Sequence, residues 1–193
     1  AARRVAVLSQ ERQCCVGILH DLGQLKRTQP LEVLVITSSA TGSCPAKDLS
    51  IGDVGLKCRH FGFRWLAGPN NAAVLEELKG FSPELIVSAL WPRRIQDDVL
   101  ALWPDCINIH PSLLPRHRGC FNQFWAIYDG DAEAGCTCHR VVHDFDAGLI
   151  LHQVAVPLAR DETALSLNRK THAAMEECFQ HVIRLFLYGG GLP

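Results

Sequence analysis

Asn108 and His110 stand two positions apart in Cys106-Ile107-Asn108-Ile109-His110, a short apolar run that stops at Pro111. Side chains at i and i+2 of a strand share a face, so an amide and an imidazole aim together at one small reacting group. The amide is a neutral hydrogen-bond donor, and the imidazole carries a proton near neutral pH. Such a pair suits a carbonyl carbon that becomes tetrahedral while its oxygen gains charge and an amine loses a proton. Taken singly, His110 also reads as a buried strand histidine, and Asp146 as a plain turn residue.

The elements that must position these groups alternate in type. Strands are expected at 4–8, 31–37, 64–66, 84–89 and 106–110. Helices are expected at 13–27, within 48–61, from a cap at Asn70 or Asn71 to Lys79 with Gly80 ending it, and at 92–103. That alternation predicts an α/β fold with a doubly wound, mostly parallel sheet. Ligands of such sheets bind beyond the carboxyl ends of the strands, and Asn108 and His110 sit at one such end. After Gly119 the pattern shifts to a helix at 122–128 and hairpin-like strands at 135–142 and 150–157. A long terminal helix is expected from Asp161 to Tyr188, with Asp161 and Glu162 in its first turn and Gly189 stopping it. Residues 1–193 read as a single catalytic domain.

The composition is that of an ordinary globular protein, 48% hydrophobic and 20% charged over 193 residues. A net charge of −1 supplies no field for nucleic acid or anionic membranes. No apolar run approaches the ~20 residues of a membrane span. No charged-then-apolar leader opens the chain, so the expected location is the cytoplasm. The nine cysteines are odd in number and form no CxxC; they read as small buried apolar groups in a reducing compartment. Cys136 and Cys138 with His139 or His143 offer zinc-binding atoms, but the spacing fits no common structural pattern, and no metal is expected. His117, His143, His152, His172 and His181 read as ordinary. The oligomeric state is not legible.

Asn108-x-His110 with Ser112-Leu113-Leu114-Pro115 and Gly119 resembles the signature of the folate-dependent formyltransferases. Gly135-x-Thr137-x-His139 and Asp146-x-Gly148 resemble that family's second motif at the matching separation. The resemblance implies transfer of a formyl group from the co-substrate N10-formyltetrahydrofolate to an acceptor amine, with catalytic roles for Asn108, His110 and Asp146. Asn108 would donate to the negative oxygen. A protonated His110 would add to this or hand a proton to the departing folate nitrogen, held by Asp146. Ser112, Thr137, His139, Gly119 and Gly148 would shape the site, with His139 steadying the Asp146 loop and Gly148 letting it turn tightly. It further implies a folate pocket between Leu90, Trp91 and Pro92 on one side and His143, Asp144, Phe145 and Ala147 on the other. Trp91 also reads as core.

Within the family, members acting on glycinamide ribonucleotide carry a Gly- and Ser-rich loop after the first strand. Here that stretch is Ser9-Gln10-Glu11-Arg12-Gln13-Cys14, without glycine and with an acidic residue, which argues against that acceptor. The methionyl-tRNA members carry a further domain and basic surfaces, which argues against tRNA. The wording around Leu114–Gly119 and Phe124–Tyr128 is closest in style to sugar or natural-product N-formyltransferases. The expected partner is a small or carrier-bound amine. A hydrolase passing the formyl group to water, a domain of a larger enzyme (the chain opens on Ala1), and a non-enzymatic folate- or nucleotide-binding module are the alternatives. Arg116 and Arg118 read either as contacts to an acidic acceptor or the folate tail, or as solvated loop charges.

Overall fold

The two densest apolar runs of the first half, Arg3–Ser9 (β1) and Leu31–Thr37 (β2), pair in parallel, with Val5 opposite Val33 and Val7 opposite Val35. The computed structural model describes residues 1–10, 13–38 and 54–193. By internal packing the chain divides into two units, Ala1–Cys106 and Ile107–Pro193.

In the first unit, β1 is flanked by β2 and by Leu85–Ala89 (β4), and β2 by Arg64–Ala67 (β3), all in parallel. The resulting order β3-β2-β1-β4 is that of a doubly wound sheet. The interior strands carry consecutive buried apolar residues, Val5–Leu8 and Val33–Ile36, rather than an alternating pattern, as expected where helices cover both faces of a sheet. Helix α1 (Gln13–Thr28) buries Cys15, Ile18, Leu19 and Leu22, one stripe at i, i+3, i+4 and i+7. A Cβ at Gly23 would lie 2.3 Å from the Phe61 ring, so only glycine lets α1 approach α2 (Val54–Phe61) this closely. The segment 39–53, with most of the Ser38–Lys47 loop and the first part of the helix expected at 48–61, lies outside the described residues.

Two helix boundaries differ from expectation. Helix α3 (Asn71–Phe81) is capped by the Asn70 side chain, which accepts from the Ala73 amide, but it runs through Gly80. It ends at Ser82, whose left-handed φ of 51° lets its amide bond the Leu78 carbonyl. The helix expected at 92–103 is confined to Asp97–Leu102 (α4). Its acidic first turn, Asp97 and Asp98, suits the positive end of a helix dipole, while Pro92–Gln96 stays non-helical.

The second unit opens at Ile107, inside β5 (Cys106–His110), and β5 pairs antiparallel with β6 (Glu133–Arg140). β6 pairs antiparallel with β7 (Ile150–Pro157). Helix α5 (Asn122–Tyr128) lies between β5 and β6 in sequence, and α6 (Ala164–Tyr188) packs on β6 and β7. Met175, Cys178, Phe179, Val182, Ile183 and Phe186 of α6 are buried. α6 starts three residues later than expected. Thr163 and Ser166 form a capping box, so Asp161 and Glu162 precede the helix instead of forming its first turn. The fold class is the expected α/β one, with a doubly wound parallel order first and antiparallel strands last.

Candidate active site

Register explains why β5 and β6 bring their polar residues together. Asn108 lies opposite His139 and His110 opposite Thr137, so four polar side chains occupy neighbouring positions in an otherwise apolar pair of strands. The loop after β6 then returns Asp146 to them. Its backbone takes a left-handed φ of 50°, an uncommon conformation outside glycine and worth 1–2 kcal/mol or so of local strain. Gly148 works by closeness instead of torsion. A Cβ there would stand 1.9 Å from the Arg140 carbonyl oxygen.

The Asp146 carboxylate gathers the cluster. One oxygen, Oδ1, accepts from Asn108 Nδ2 at 3.3 Å and lies 3.4 Å from His139 Nε2. The other, Oδ2, accepts from the Gly119 amide at 2.9 Å and faces His110 Nδ1 at 3.5 Å. His139 is fixed through its other nitrogen, 2.8 Å from the Arg140 carbonyl. Nδ1 therefore carries a proton, and Nε2, 3.3 Å from Asn108 Nδ2, accepts from that amide when bare and donates to the Asp146 carboxylate when protonated. The side-chain contacts of Asn108, and that of His110 with Asp146, are long, and such contacts tighten or exchange when a substrate enters.

His110 is 5% exposed. Burial pushes its imidazole below the ordinary 6.5, and Asp146 and the His117 carbonyl only partly restore it. This corrects the expectation that the carboxylate makes a resting imidazolium; desolvation of the cation outweighs the attraction. For Asp146 the balance runs the other way. Burial alone would raise its carboxyl, but the hydrogen bond to His139, the neighbouring His110 and the Gly119 amide bring it down to about 2. At neutral pH the site holds a carboxylate and a neutral imidazole.

Thr137 and Ser112 shape the loop between β5 and α5. Thr137 Oγ1 donates to the Ser112 carbonyl at 2.7 Å and accepts from the Leu114 amide at 3.0 Å. Ser112 Oγ donates to the Arg116 carbonyl at 2.9 Å. Three partners were missed in the sequence. Gln153 donates to Thr137 Oγ1 at 2.8 Å and to the Leu114 carbonyl at 2.9 Å. His117, read as ordinary, holds Asp131 at 2.7 Å and turns its carbonyl to 3.1 Å from His110 Nε2. Asn122, read as the first residue of a helix, is buried with Nδ2 at 3.0 Å from His110 Nε2. An asparagine opening a helix looks like a cap, which hides its other use. Arg116 is paired with the buried Asp131 carboxylate, while Arg118 is exposed.

Leu90, Trp91 and Pro92 belong to the first unit, at the carboxyl end of β4. Leu90 has a left-handed φ of 57° there, and the Arg93 guanidinium lies over the Trp91 ring at 4.4 Å. In the second unit His143, Asp144, Phe145 and Ala147 are exposed in the β6–β7 loop. Among the described residues no group of three or more His, Cys, Asp or Glu side chains is arranged to hold a metal ion.

An amide and a neutral imidazole converging on a fixed carboxylate at a strand end of an α/β fold are the furniture of an enzyme that moves a group at a carbonyl carbon. The family model for formyl transferase matches residues 3–183, and the chain belongs to that family, that of the folate-dependent formyl-transfer enzymes. It is similar to a solved phosphoribosylglycinamide formyltransferase from Anaplasma phagocytophilum, 28% identical over 94% of this chain and 85% of the other, TM-score 0.78. It is also similar to glycinamide ribonucleotide transformylase 1 from Symbiobacterium toebii, 29% identical over 97% and 89%, TM-score 0.79. A formyltetrahydrofolate deformylase from Pseudomonas syringae pv. tomato shares the fold, 19% identical over 98% and 62%, TM-score 0.82.

Proposed function

We propose that residues 1–193, acting as one catalytic domain in the cytoplasm, transfer a formyl group from N10-formyltetrahydrofolate to the primary amine of a small or carrier-bound acceptor. The observation that carries this reading is the convergence of Asn108, His110, His139 and the Gly119 amide on the Asp146 carboxylate. Asn108 exchanges one of its long contacts to donate to the formyl oxygen as that oxygen gains charge. His110, neutral at rest, takes the proton that the attacking amine must lose and becomes an imidazolium beside Asp146. It then returns that proton to the folate nitrogen as the C–N bond breaks and the electron pair goes to nitrogen. The formylated amine and tetrahydrofolate leave with no net change in the enzyme. Gly119 and His139 keep the carboxylate in place throughout.

A pterin needs flat apolar surface; Leu90, Trp91 and Pro92 in the first unit and Phe145 with its loop neighbours in the second are each candidates to offer it. Phe145 is 68% exposed. The acceptor is an amine other than glycinamide ribonucleotide. The connection after β1 has no glycine and carries Glu11, which disfavours a phosphate. Incubation with 10-formyltetrahydrofolate and a panel of amines, glycinamide ribonucleotide included, tests this. Tetrahydrofolate release that requires one of the other amines is expected. Equal release without any amine would convert the reading to a hydrolase, and folate binding without release would reduce it to a binding module.

A further inference from the structure

Asn122 lies at the start of α5, and nothing in the two family motifs includes it. Its side chain is buried, and its Nδ2 has two hydrogens facing three acceptors. These are the His117 carbonyl, the Gly119 carbonyl at 3.1 Å and His110 Nε2 at 3.0 Å. Gly119 is also the residue whose amide reaches Asp146, so one asparagine touches both the imidazole and the loop that supports the carboxylate. We propose that Asn122 is a positioning residue that sets the tautomer of His110, placing the resting proton on Nδ1 toward Asp146 and leaving Nε2 bare.

The hydrogen-bond inventory leads there. An amide N–H can only donate, so the ring nitrogen it meets must accept. The His117 carbonyl, 3.1 Å from Nε2, already accepts from Asn122, and Ser112 Oγ, 3.2 Å away, shares its one hydrogen between it and the nearer Arg116 carbonyl. When His110 gains its second proton, Nε2–H turns to that carbonyl, and Ser112 retains the Arg116 carbonyl at 2.9 Å. Asn122 then keeps the Gly119 carbonyl. Both protonation states of a buried imidazole are satisfied without moving the backbone. The titratable groups facing the ring are Asp146 from the β6–β7 loop and His139 from β6, whose ring centroid is 6.4 Å away. His117 turns its own imidazole to Asp131.

This inference rests on the formyl-transfer reading for its consequence, but its direct test does not. Nitrogen-15 spectra of histidine-labelled protein, with the His110 signals identified by their loss in His110→Gln, read the tautomer. The expected wild-type result above the ionisation of His110 is a protonated Nδ1 and a bare Nε2. A protonated Nε2 in the wild type overturns the proposal even if every Asn122 variant fails to fold. Asn122→Asp, close in volume but acceptor-only, should draw the proton to Nε2, and Asn122→Ala should give a mixture. In formyl-transfer assays both should lower kcat with little change in the KM for folate. Asn122→Ala should move the acid limb of the pH profile up by roughly half to one unit, because the neutral ring loses a donor. An unchanged tautomer in both variants overturns the proposal. Absence of formyl transfer to any amine or water, with the tautomer as expected, would sink the functional reading and leave this one standing.

Discussion

At the scale of single residues, the site is a competition between solvation and charge, and burial decides it for His110. Two predictions follow from the cluster's geometry. His110→Ala and Asp146→Asn should each lower kcat by about 10²–10⁴-fold in the formyl-transfer assay, with circular dichroism showing a retained fold. Asn108→Ala should remove about 3 kcal/mol of transition-state stabilisation, seen in kcat and not in folate affinity. Because the folded-state imidazole of His110 sits below its ordinary 6.5, the unfolded chain binds its proton first as pH falls. Stability is then full above 6.5 and declines as pH drops through that value toward the folded one. Urea midpoints at pH 7.5 and 5.5 should show this decline, and His110→Gln should flatten it.

At the scale of elements, close approaches and caps carry the argument. A Cβ on Gly148 meets the Arg140 carbonyl, and one on Gly135 would lie 2.1 Å from the Val154 carbonyl across the β6–β7 pair. Backbone cannot yield as a side-chain tip does, so Gly148→Ala should destabilise the second unit by about 1–3 kcal/mol and displace Asp146. Thermal melts and loss of turnover together check it. Ser82 offers the opposite case. It pays a left-handed torsion that glycine adopts freely, so Ser82→Gly should raise stability by about 0.5–1 kcal/mol despite losing its Oγ bond to the Lys79 carbonyl. Thr163→Ala should cost about 1 kcal/mol through loss of the α6 capping box.

At the scale of the whole molecule, the chain is two units whose residues take different burdens. The first supplies a parallel sheet of almost unbroken apolar strands; the second holds every member of the Asp146 cluster. No helix among the described residues is long and apolar enough to cross a membrane. The thiols give a measurable signature of the packing. Cys15, Cys58, Cys106, Cys136, Cys138 and Cys178 are buried, and Cys120 is exposed. Burial pushes Cys106 up to about 12. Peptide mapping after brief native alkylation should find Cys120 modified and these six protected until denaturant is added.

The strands were legible because each apolar run is bounded by turn residues. Leu31–Thr37, Cys106–His110 and Ile150–Pro157 begin and end as their sequences indicate. Helix ends were less legible, since a glycine can continue a helix and a serine can end one when a single torsion changes, as Gly80 and Ser82 do. Asn108 and His110 could be named from spacing, because strand period confines where such side chains point, and His139 and Asp146 from the resemblance to the family's second motif. Three matters needed the tertiary structure. The neutral state of His110 depends on how much low-dielectric protein surrounds it. Asn122 acquires its role only when α5 brings it to the ring. Arg116 meets Asp131 across a loop. Each depends on distances between residues far apart in the chain, which local sequence pattern does not encode, whereas the pairing of an amide and an imidazole on one strand face was written in five consecutive letters.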